Sequence, residues 1–562
     1  MYLGISAYFH DSSVALIDTK GELIDFQKEE WHSRVKGDKS FPRLAIKRIF
    51  ENSNISSKNI KSIVFYEKPF RSWLTIMKFS LKNNNILNSV NLHFFKNFWK
   101  SSISFYLDIL DMFKFDKKKI FYSDHHLSHT LSALFYSKTN EPKLSIVIDG
   151  YGDCDCSSIH LVKNSKQIYK IWNSPYPQSL GLFYTAVTDF LGFQINEGEH
   201  KVMALAAYGK PIFYNELLKI VNFNNGNFFM DMDYFDFHKR LDRSFSEKFE
   251  KIFKIKSRTG AISLDLKDSN FKIYANIASS AQKLVEIILM QIFEYAYNKT
   301  KIKNFLFSGG VALNCVAVQK ISKLKFINKL EIPPSPGDSG AAIGSAYLGF
   351  LQDNKEKKPS KKKLFPGMFI QNETFFNLVF QRISSSKNLF KNIAKLLEQN
   401  QILATCYENI ETGPRSLGHR SLICNAYNQD LVNLLNSKIK KRSQFRPLAP
   451  CMTLKTAKQK FNINSKISNL YDTMSVVADY KKKNNKKKPF LHIDKTSRIQ
   501  ICGKNSFLEK IFSKTKKLDI LINTSFNIAG DPVVYNFEDA YLSMKRMNLK
   551  YLVTKKGIYK IK

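Results

Sequence analysis

Leu144-Ser145-Ile146-Val147-Ile148-Asp149, followed at once by Gly150-Tyr151-Gly152-Asp153, is the stretch from which the fold is read. A short apolar run bounded by a glycine-rich turn is a buried strand, and two more strand-like runs follow near 157–163 and 166–172. The same order stands at the beginning of the chain, with strands over 2–7, 13–18 and 22–28 and the loop Tyr8-Phe9-His10-Asp11-Ser12 between the first two. Strand, tight polar loop, strand, turn, strand therefore occurs twice, with helical material between the copies. In the second copy Gly150 and Gly152 free the backbone to approach a ligand, and Asp149 and Asp153 set carboxylates at the strand end.

Further along, 271–299 has the apolar spacing of a long helix. A strand over 304–307 then runs into Ser308-Gly309-Gly310 and a helix from about Ala312. Glu331-Ile332-Pro333-Pro334 leads in the same way to Gly337-Asp338-Ser339-Gly340-Ala341-Ala342 and a further helix. A strand, a glycine turn and a helix N-terminus make a phosphate site, because unpaired N–H groups and the helix dipole face the ligand. Two repeated units across a cleft resemble the actin/hexokinase/Hsp70 nucleotide-binding architecture. The expected fold class is α/β, with a duplicated actin/hexokinase-like (ASKHA) domain over 1–351. Residues 352–364 are charged, carry a Pro and lack an apolar period, and read as a linker to an α/β domain over 365–562.

A chain of 562 residues is too long for one core, and 44% apolar content excludes a disordered one. No apolar run approaches the ~20 residues of a membrane span, and His10 and Asp11 interrupt any signal-peptide core. Seven cysteines, an odd number in a large chain, read as reduced thiols, so a soluble cytoplasmic protein without a membrane partner is expected. The 87 Lys+Arg against 48 Asp+Glu, net +39, admit nonspecific nucleic-acid binding. Clusters such as 481–483 and 486–488 lack interleaved aromatics, however, and read as solvated loops, so nucleic acid is not the expected partner. With 73 Lys and only 14 Arg, a position that keeps Arg is one where the planar two-pronged donor matters.

Asp124-His125-His126-Leu127-Ser128-His129 opens an apolar helix. His125 and His129 stand at i and i+4, share one face and are placed to grip a metal, while His126 points elsewhere. No Glu follows the first His, so metalloprotease chemistry is not supported. Asp338 is the best further ligand and Asp149 the next; imidazole with carboxylate suits Fe²⁺, Zn²⁺ or Mn²⁺. His10, in the first hairpin loop, is placed to act as a general base toward a hydroxyl. Half of the arginines lie beyond the linker, and five of those seven are Arg415, Arg420, Arg442, Arg446 and Arg498, each in a stretch near Gly, Pro or small polar residues. Convergent guanidiniums of this kind describe a phosphate or oxyanion pocket, to which Asn523-Thr524-Ser525-Phe526-Asn527 adds short donors after a strand over 518–522.

These motifs, in this order, resemble the O-carbamoyltransferase family of antibiotic tailoring and nodulation-factor biosynthesis. The series runs through Phe9-His10-Asp11-Ser12, His125-His126-Leu127-Ser128-His129, Asp149-Gly150-Tyr151-Gly152 and His200-Lys201-Val202-Met203-Ala204-Leu205. It continues through Ser308-Gly309-Gly310-Val311-Ala312-Leu313-Asn314, Pro333-Pro334-Ser335-Pro336-Gly337-Asp338, Gly413-Pro414-Arg415-Ser416-Leu417-Gly418, Phe445-Arg446-Pro447-Leu448-Ala449-Pro450 and Asn523-Thr524-Ser525-Phe526-Asn527. The resemblance implies a YrdC-like second domain that converts carbamoyl phosphate and ATP, with Mg²⁺, to carbamoyl-adenylate. Arg415, Lys440, Arg446, His492, Arg498, Thr524 and Asn527 would hold carbamoyl phosphate. It implies a first domain in which His125, His129, Asp338 and Asp149 bind the metal, Fe²⁺ by resemblance. Asp149, Gly150, Gly152, Lys201, Gly309, Gly310, Asn314 and Gly337 would line the nucleotide cleft, with His10 as the base. The acceptor would be a hydroxyl of a small molecule or glycan, and the chain a homodimer.

Lys495 stands where the family commonly has Gly, Ser443 where Glu is usual and Ala529 where Arg is frequent, which bears on the phosphate geometry. Residues 70–118 match none of the family's motifs and are expected to shape the acceptor site or to be packing peculiar to this lineage. Two competing readings are a tRNA-modifying threonylcarbamoyl-type enzyme or basic nucleic-acid binder, motivated by the charge, and a sugar kinase, which leaves the second domain unexplained.

Overall fold

The apolar runs pair into two sheets of identical connectivity. In the computed structural model, which describes residues 1–82, 88–113, 119–137, 139, 141–258, 264–354, 364–369, 372–482 and 488–562, strands β1 (Tyr2–Ser6), β2 (Ser13–Ile17) and β3 (Leu23–Lys28) form an antiparallel meander. β4 (Ser62–Phe65) and β5 (Ile120–Tyr122) join β1 in parallel, giving the order β3-β2-β1-β4-β5. In the second sheet β6 (Lys143–Gly152), β7 (Asp155–Val162) and β8 (Ile168–Pro175) repeat the meander, and β9 (Asn304–Ser308) and β10 (Lys329–Glu331) add to β6 in parallel. Its order, β8-β7-β6-β9-β10, reproduces the first strand for strand, so the repeat read from the sequence is a structural duplication. β1 and β2 are buried at every position, as expected of strands covered on both faces.

Helices α1 (Pro69–Lys82), α2 (Ser89–Trp99) and α3 (Phe105–Phe113) lie between β4 and β5, and α4 (His125–Tyr136) links the first sheet to the second. Then come α5 (Glu199–Ala206), α6 (Phe271–Thr300), α7 (Cys315–Ser322) and α8 (Asp338–Asp353). α4 and α8 cross with almost no gap. A Cβ on Gly344 would stand 1.8 Å from the Ser128 carbonyl oxygen, and Ser128 Oγ lies 3.2 Å from Ser345 Oγ. That crossing brings the histidines of α4 beside the first residue of α8.

Some boundaries differ from the sequence reading. Gly310–Leu313 is a 3₁₀ turn, and the α-helix starts only at Cys315, where the Asn314 side chain accepts from Ala317 N–H. α8 reaches Asp353, so the charged stretch begins inside a helix, and 355–363 of the expected linker lie outside the described residues.

Beyond it an eight-stranded mixed sheet is built from β11 (Phe380–Ser385), β12 (Leu403–Thr405), β13 (Ser421–Asn425), β14 (Pro450–Met452), β15 (Gln500–Ile501), β16 (Leu521–Ser525), β17 (Tyr551–Thr554) and β18 (Gly557–Ile561). Its order is β11-β18-β17-β12-β13-β16-β14-β15. The strand expected over 518–522 lies three residues later, because Asn523 and Thr524 enter the ladder opposite Ile423 and Leu422. The C-terminal part is clamped onto the first sheet around Met368. Its N–H donates to Asp25 Oδ1 at 3.0 Å, and its carbonyl accepts from Gln27 Nε2 at 2.7 Å and from the Tyr535 hydroxyl at 2.8 Å. Among the described residues no helix is long and apolar enough to cross a membrane.

Candidate active site

The carboxyl ends of β1, β6 and β9 converge, as expected for ligand sites in α/β folds. His125 and His129 sit one turn apart on α4 with their Nε2 atoms 3.1 Å apart. Asp149, near the end of β6, and Asp338, at the start of α8, close the group. His129 Nε2 lies 3.2 Å from Asp149 Oδ2 and 3.3 Å from Asp338 Oδ1; for His125 Nε2 the distances are 3.8 and 3.7 Å. All four ligand atoms fall within 4.8 Å of one another, and all four residues are largely buried. A tetrahedral cation with bonds of about 2.0–2.1 Å has ligand–ligand edges of about 3.3 Å. Asp149 Oδ2 makes no hydrogen bond despite its closeness to His129, as atoms aimed at a common centre would. Two imidazoles and two carboxylates with this spacing fit a divalent metal.

The backbone holds the pair in place. His125 N–H, at the start of α4, donates to Asp153 Oδ2 at 2.6 Å, and Lys68 N–H donates to the other oxygen at 2.6 Å. Gly152 lies flat against the His125 ring, where a Cβ would come within 2.1 Å of Cδ2. His126 turns away and its Nδ1 meets Ser158 Oγ at 2.8 Å. His10 reaches the cluster from the first hairpin loop, with Nε2 3.4 Å from Asp338 Oδ2 and Nδ1 3.1 Å from Asp11 Oδ2.

Burial works against charge on His129, but Asp149 and Asp338 carry it up to about 9. Burial likewise opposes charge on His10, and Asp338, Asp11 and Asp149 together raise it to about 10. Burial would raise Asp149, yet the two histidines hold it well below the ordinary carboxylate range. Glu67 Oε2 lies 4.0 Å from His125 Nδ1, and burial, with Asp153 and Asp338 nearby, pushes it well above that range.

A second group is positive. Burial and the neighbouring guanidiniums depress Arg415 to about 9 and Arg442 to about 10, and hold Arg446 well below its usual value. Arg415, Arg442 and Arg446 each feel the charge of Arg498, and Arg446 also that of Arg415 and Arg442, so the four form one group. Among the described residues none of the four has a carboxylate within 4.0 Å. The pocket faces α5: Arg446 Nη2 lies 2.6 Å from His200 Nε2, across 246 residues of sequence. Burial and Arg446 lower Lys201, the next residue, which lies over the Phe193 ring at 5.5 Å. Half-buried, mutually repelling guanidiniums without carboxylate partners are suited to a multiply charged anion.

Residues 1–347 match the family described as Carbamoyltransferase N-terminus, and 394–560 match Carbamoyltransferase C-terminus. The chain belongs to the carbamoyltransferase family. An uncharacterised protein of Synechocystis, sll1178, is 28% identical to this carbamoyltransferase over 98% of the chain and 95% of its own length. Nodulation protein NolNO of Sinorhizobium fredii is 25% identical over 99% of the chain and 79% of its length. Nodulation protein NolO of Bradyrhizobium diazoefficiens is 26% identical over 76% of the chain and 77% of its length.

Of the residues expected to hold carbamoyl phosphate, Arg415, Arg446 and Arg498 enter the carbamoyltransferase's arginine pocket, and Thr524 borders it 3.5 Å from Arg442 Nη1. Lys440 turns to its own loops instead: its Nζ donates to Ser525 O at 2.7 Å, to Asn527 Oδ1 at 2.6 Å and to Asn527 O. Asn527 is thereby occupied in fixing Lys440, and its Nδ2 donates to Asp531 O. His492 Nε2 donates to the Phe445 carbonyl at 3.2 Å, behind Arg446. Arg420 is fully buried and takes no part in the pocket. Its guanidinium donates to the carbonyls of Glu408 and His419 and lies 4.4 Å from the Phe369 ring centre.

In the expected nucleotide cleft, Gly310 lies beside Asp149 Oδ1, and Gly309 takes φ +89° under the Ile148 carbonyl. A Cβ on Gly150 would touch the Leu182 side chain at 3.6 Å, and among the described residues nothing lies within 4 Å of one on Gly337, which borders open space. The Asn314 amide is exchanged with Gln282 through two hydrogen bonds of 3.0 and 3.1 Å. The sequence reading counted Arg442 among the convergent guanidiniums and Asp153 as a carboxylate at the strand end without carrying either into the phosphate or metal set, and it assigned no role to His200 or Glu67. Arg442 follows Lys440 by two residues and His200 precedes Lys201, whereas Glu67 had no local signal.

Proposed function

We propose that this carbamoyltransferase is ATP-dependent and works in two steps on two domains, a YrdC-like one over 365–562 and an actin/hexokinase-like one over 1–351. The first converts carbamoyl phosphate, water and ATP to carbamoyl-adenylate, phosphate and pyrophosphate: water takes the phosphoryl group as phosphate, and the carbamate oxygen displaces pyrophosphate from the α-phosphorus; the second transfers the carbamoyl group to a hydroxyl of a small molecule or glycan. The observation that carries this reading is the arginine pocket without carboxylate partners, set against His200 of the other part of the chain. The duplicated five-stranded topology supports the fold assignment of the first part.

In the first step Arg415, Arg442, Arg446 and Arg498 neutralise the phosphate oxygens and fix the carbamoyl end by planar hydrogen bonds. Lys440, through Ser525 and Asn527, ties the loop after β16 to the segment that carries Arg442. In the second step the acceptor oxygen attacks the carbamoyl carbon, the bond from that carbon to the AMP phosphate oxygen breaks, and AMP leaves. His10 accepts the hydroxyl proton on Nε2, with Asp11 orienting the ring through Nδ1. A divalent cation held by His125, His129, Asp149 and Asp338, Fe²⁺ by resemblance, would neutralise the carboxylates that raise His10 and draw negative charge from the leaving phosphate. Facing sites on one chain shorten the path of a labile mixed anhydride and limit its loss to water.

The test is pyrophosphate release by purified protein given ATP, Mg²⁺ and carbamoyl phosphate. Release requires both substrates, and Arg446→Ala and Arg442→Ala each lower it at least ~100-fold. Release with ATP alone, or wild-type rates in both variants, refutes the assignment.

A further inference from the structure

The helices between β4 and β5, in the region that matches no family motif, carry apolar residues on two faces. On one face of α2, the π turn Lys100–Ser104 and α3, Val90, Phe94, Phe98, Ser101, Phe105, Ile109 and Phe113 turn inward. Phe94, Asn97, Phe98 and Ser101 line a cavity whose far wall is Phe9, Glu67 and His125, directly beside the metal-type cluster. The opposite face repeats every three or four residues as Leu92, Phe95, Trp99, Ile103 and Leu107, which are 41–58% exposed. Phe70 of α1 is 55% exposed and extends the stripe, its ring 6.1 Å from that of Phe98. Lys78, Lys82, Lys96 and Lys100 stand exposed around it.

A contiguous stripe of Leu, Phe, Ile and Trp in water is unfavourable unless something covers it. The composition, aromatic and aliphatic side chains on one face with lysines at its edge, is that of an interfacial helix whose apolar face enters the headgroup boundary. Charge decides the occupant. A second copy would set these lysines against their equivalents in a chain of net charge +39, whereas an anionic bilayer pairs with them. We propose that the outer face of α1, α2 and α3 docks on an anionic lipid surface, an inference that stands independently of the transfer chemistry proposed above. The expectation of no membrane partner was drawn from the lack of a spanning stretch, which a peripheral face does not need.

The experiment is co-sedimentation of the full chain with vesicles of phosphatidylcholine alone and of phosphatidylcholine with phosphatidylglycerol, with pyrophosphate release measured on the same samples. Wild type is expected to bind the anionic vesicles. The variant L92S/F95S/W99S binds ~100-fold more weakly, with three half-exposed anchors removed, and keeps its pyrophosphate release. K96E/K100E loses the preference for phosphatidylglycerol. Absence of wild-type binding, or unchanged binding by the triple variant, overturns the docking surface. So does a triple variant that turns a dimer into a monomer without vesicles, since a second copy would then be the occupant. Vesicle binding without pyrophosphate release from wild type would sink the proposed function and leave the docking surface standing.

Discussion

Gly152→Ala probes how tightly the chain places His125. The added Cβ would sit 2.1 Å from His125 Cδ2, 2.4 Å from Cγ and 2.8 Å from Nε2. Ordinary contact begins at 3.4 Å, so the ring must retreat by roughly 1.3 Å, and Asp153 holds the backbone under it. Metal ligands tolerate displacements of about 0.2 Å, and even outer-shell changes weaken metal affinity by about 10–100-fold. The variant is therefore expected to bind a divalent cation at least ~100-fold more weakly than wild type in competition with a chromophoric chelator. Pyrophosphate release stays intact, because the arginine pocket is a separate group. Gly150→Ala is the control, since its Cβ would meet only the Leu182 side chain at 3.6 Å. Wild-type metal affinity in Gly152→Ala, or equal losses in both variants, would refute the reasoning.

Other substitutions separate structural from ligand-binding roles. Arg420→Ala leaves buried carbonyls of Glu408 and His419 unpaired and is expected to lower unfolding free energy by about 3 kcal/mol in urea titration, with pyrophosphate release per folded molecule unchanged. Inorganic phosphate relieves repulsion among Arg415, Arg442, Arg446 and Arg498, so at about 100 times its Kd it should add about 2.7 kcal/mol, seen as a higher Tm that Arg442→Ala reduces. Burial raises Glu29 to about 7 even though it accepts N–H bonds from Ala45 and Leu44. An acid with a raised folded pKa binds its proton more tightly when folded. Its stabilising effect is thus complete below about 4.5 and lost as pH rises toward 7, by about 2–3 kcal/mol. Glu29→Gln should flatten that fall between pH 5 and 7; an equally steep fall would exclude Glu29 as its source.

What could be read before the structure was whatever is local or repeated. The two strand–loop–strand copies, the i, i+4 histidine pair and the choice of Arg in a Lys-rich chain each carry their signal within a few residues. Asp149 and Asp338 were named as ligands on residue type and position, and the crossing of α4 with α8 supplies the geometry. Contacts between distant segments were not legible. Nothing near His200 announces Arg446, and the use of Gly152 against an imidazole rather than a phosphate depends on where α4 begins. Lys440 is buried against Asn527, whose oxygens take its ammonium, which spacing alone cannot tell. Lys495, set against a Gly by the resemblance, takes φ +64°, a left-handed position that favours glycine. The structure gives no account of Ala529.

Phosphorus NMR of wild-type protein turning over carbamoyl phosphate with ATP and Mg²⁺ tests the central claim most directly. The account predicts pyrophosphate and inorganic phosphate growing together, with an adenylate resonance distinct from AMP that collapses to AMP when a hydroxyl acceptor is added. ADP as the nucleotide product, or phosphate release with the ATP signals unchanged, would contradict it.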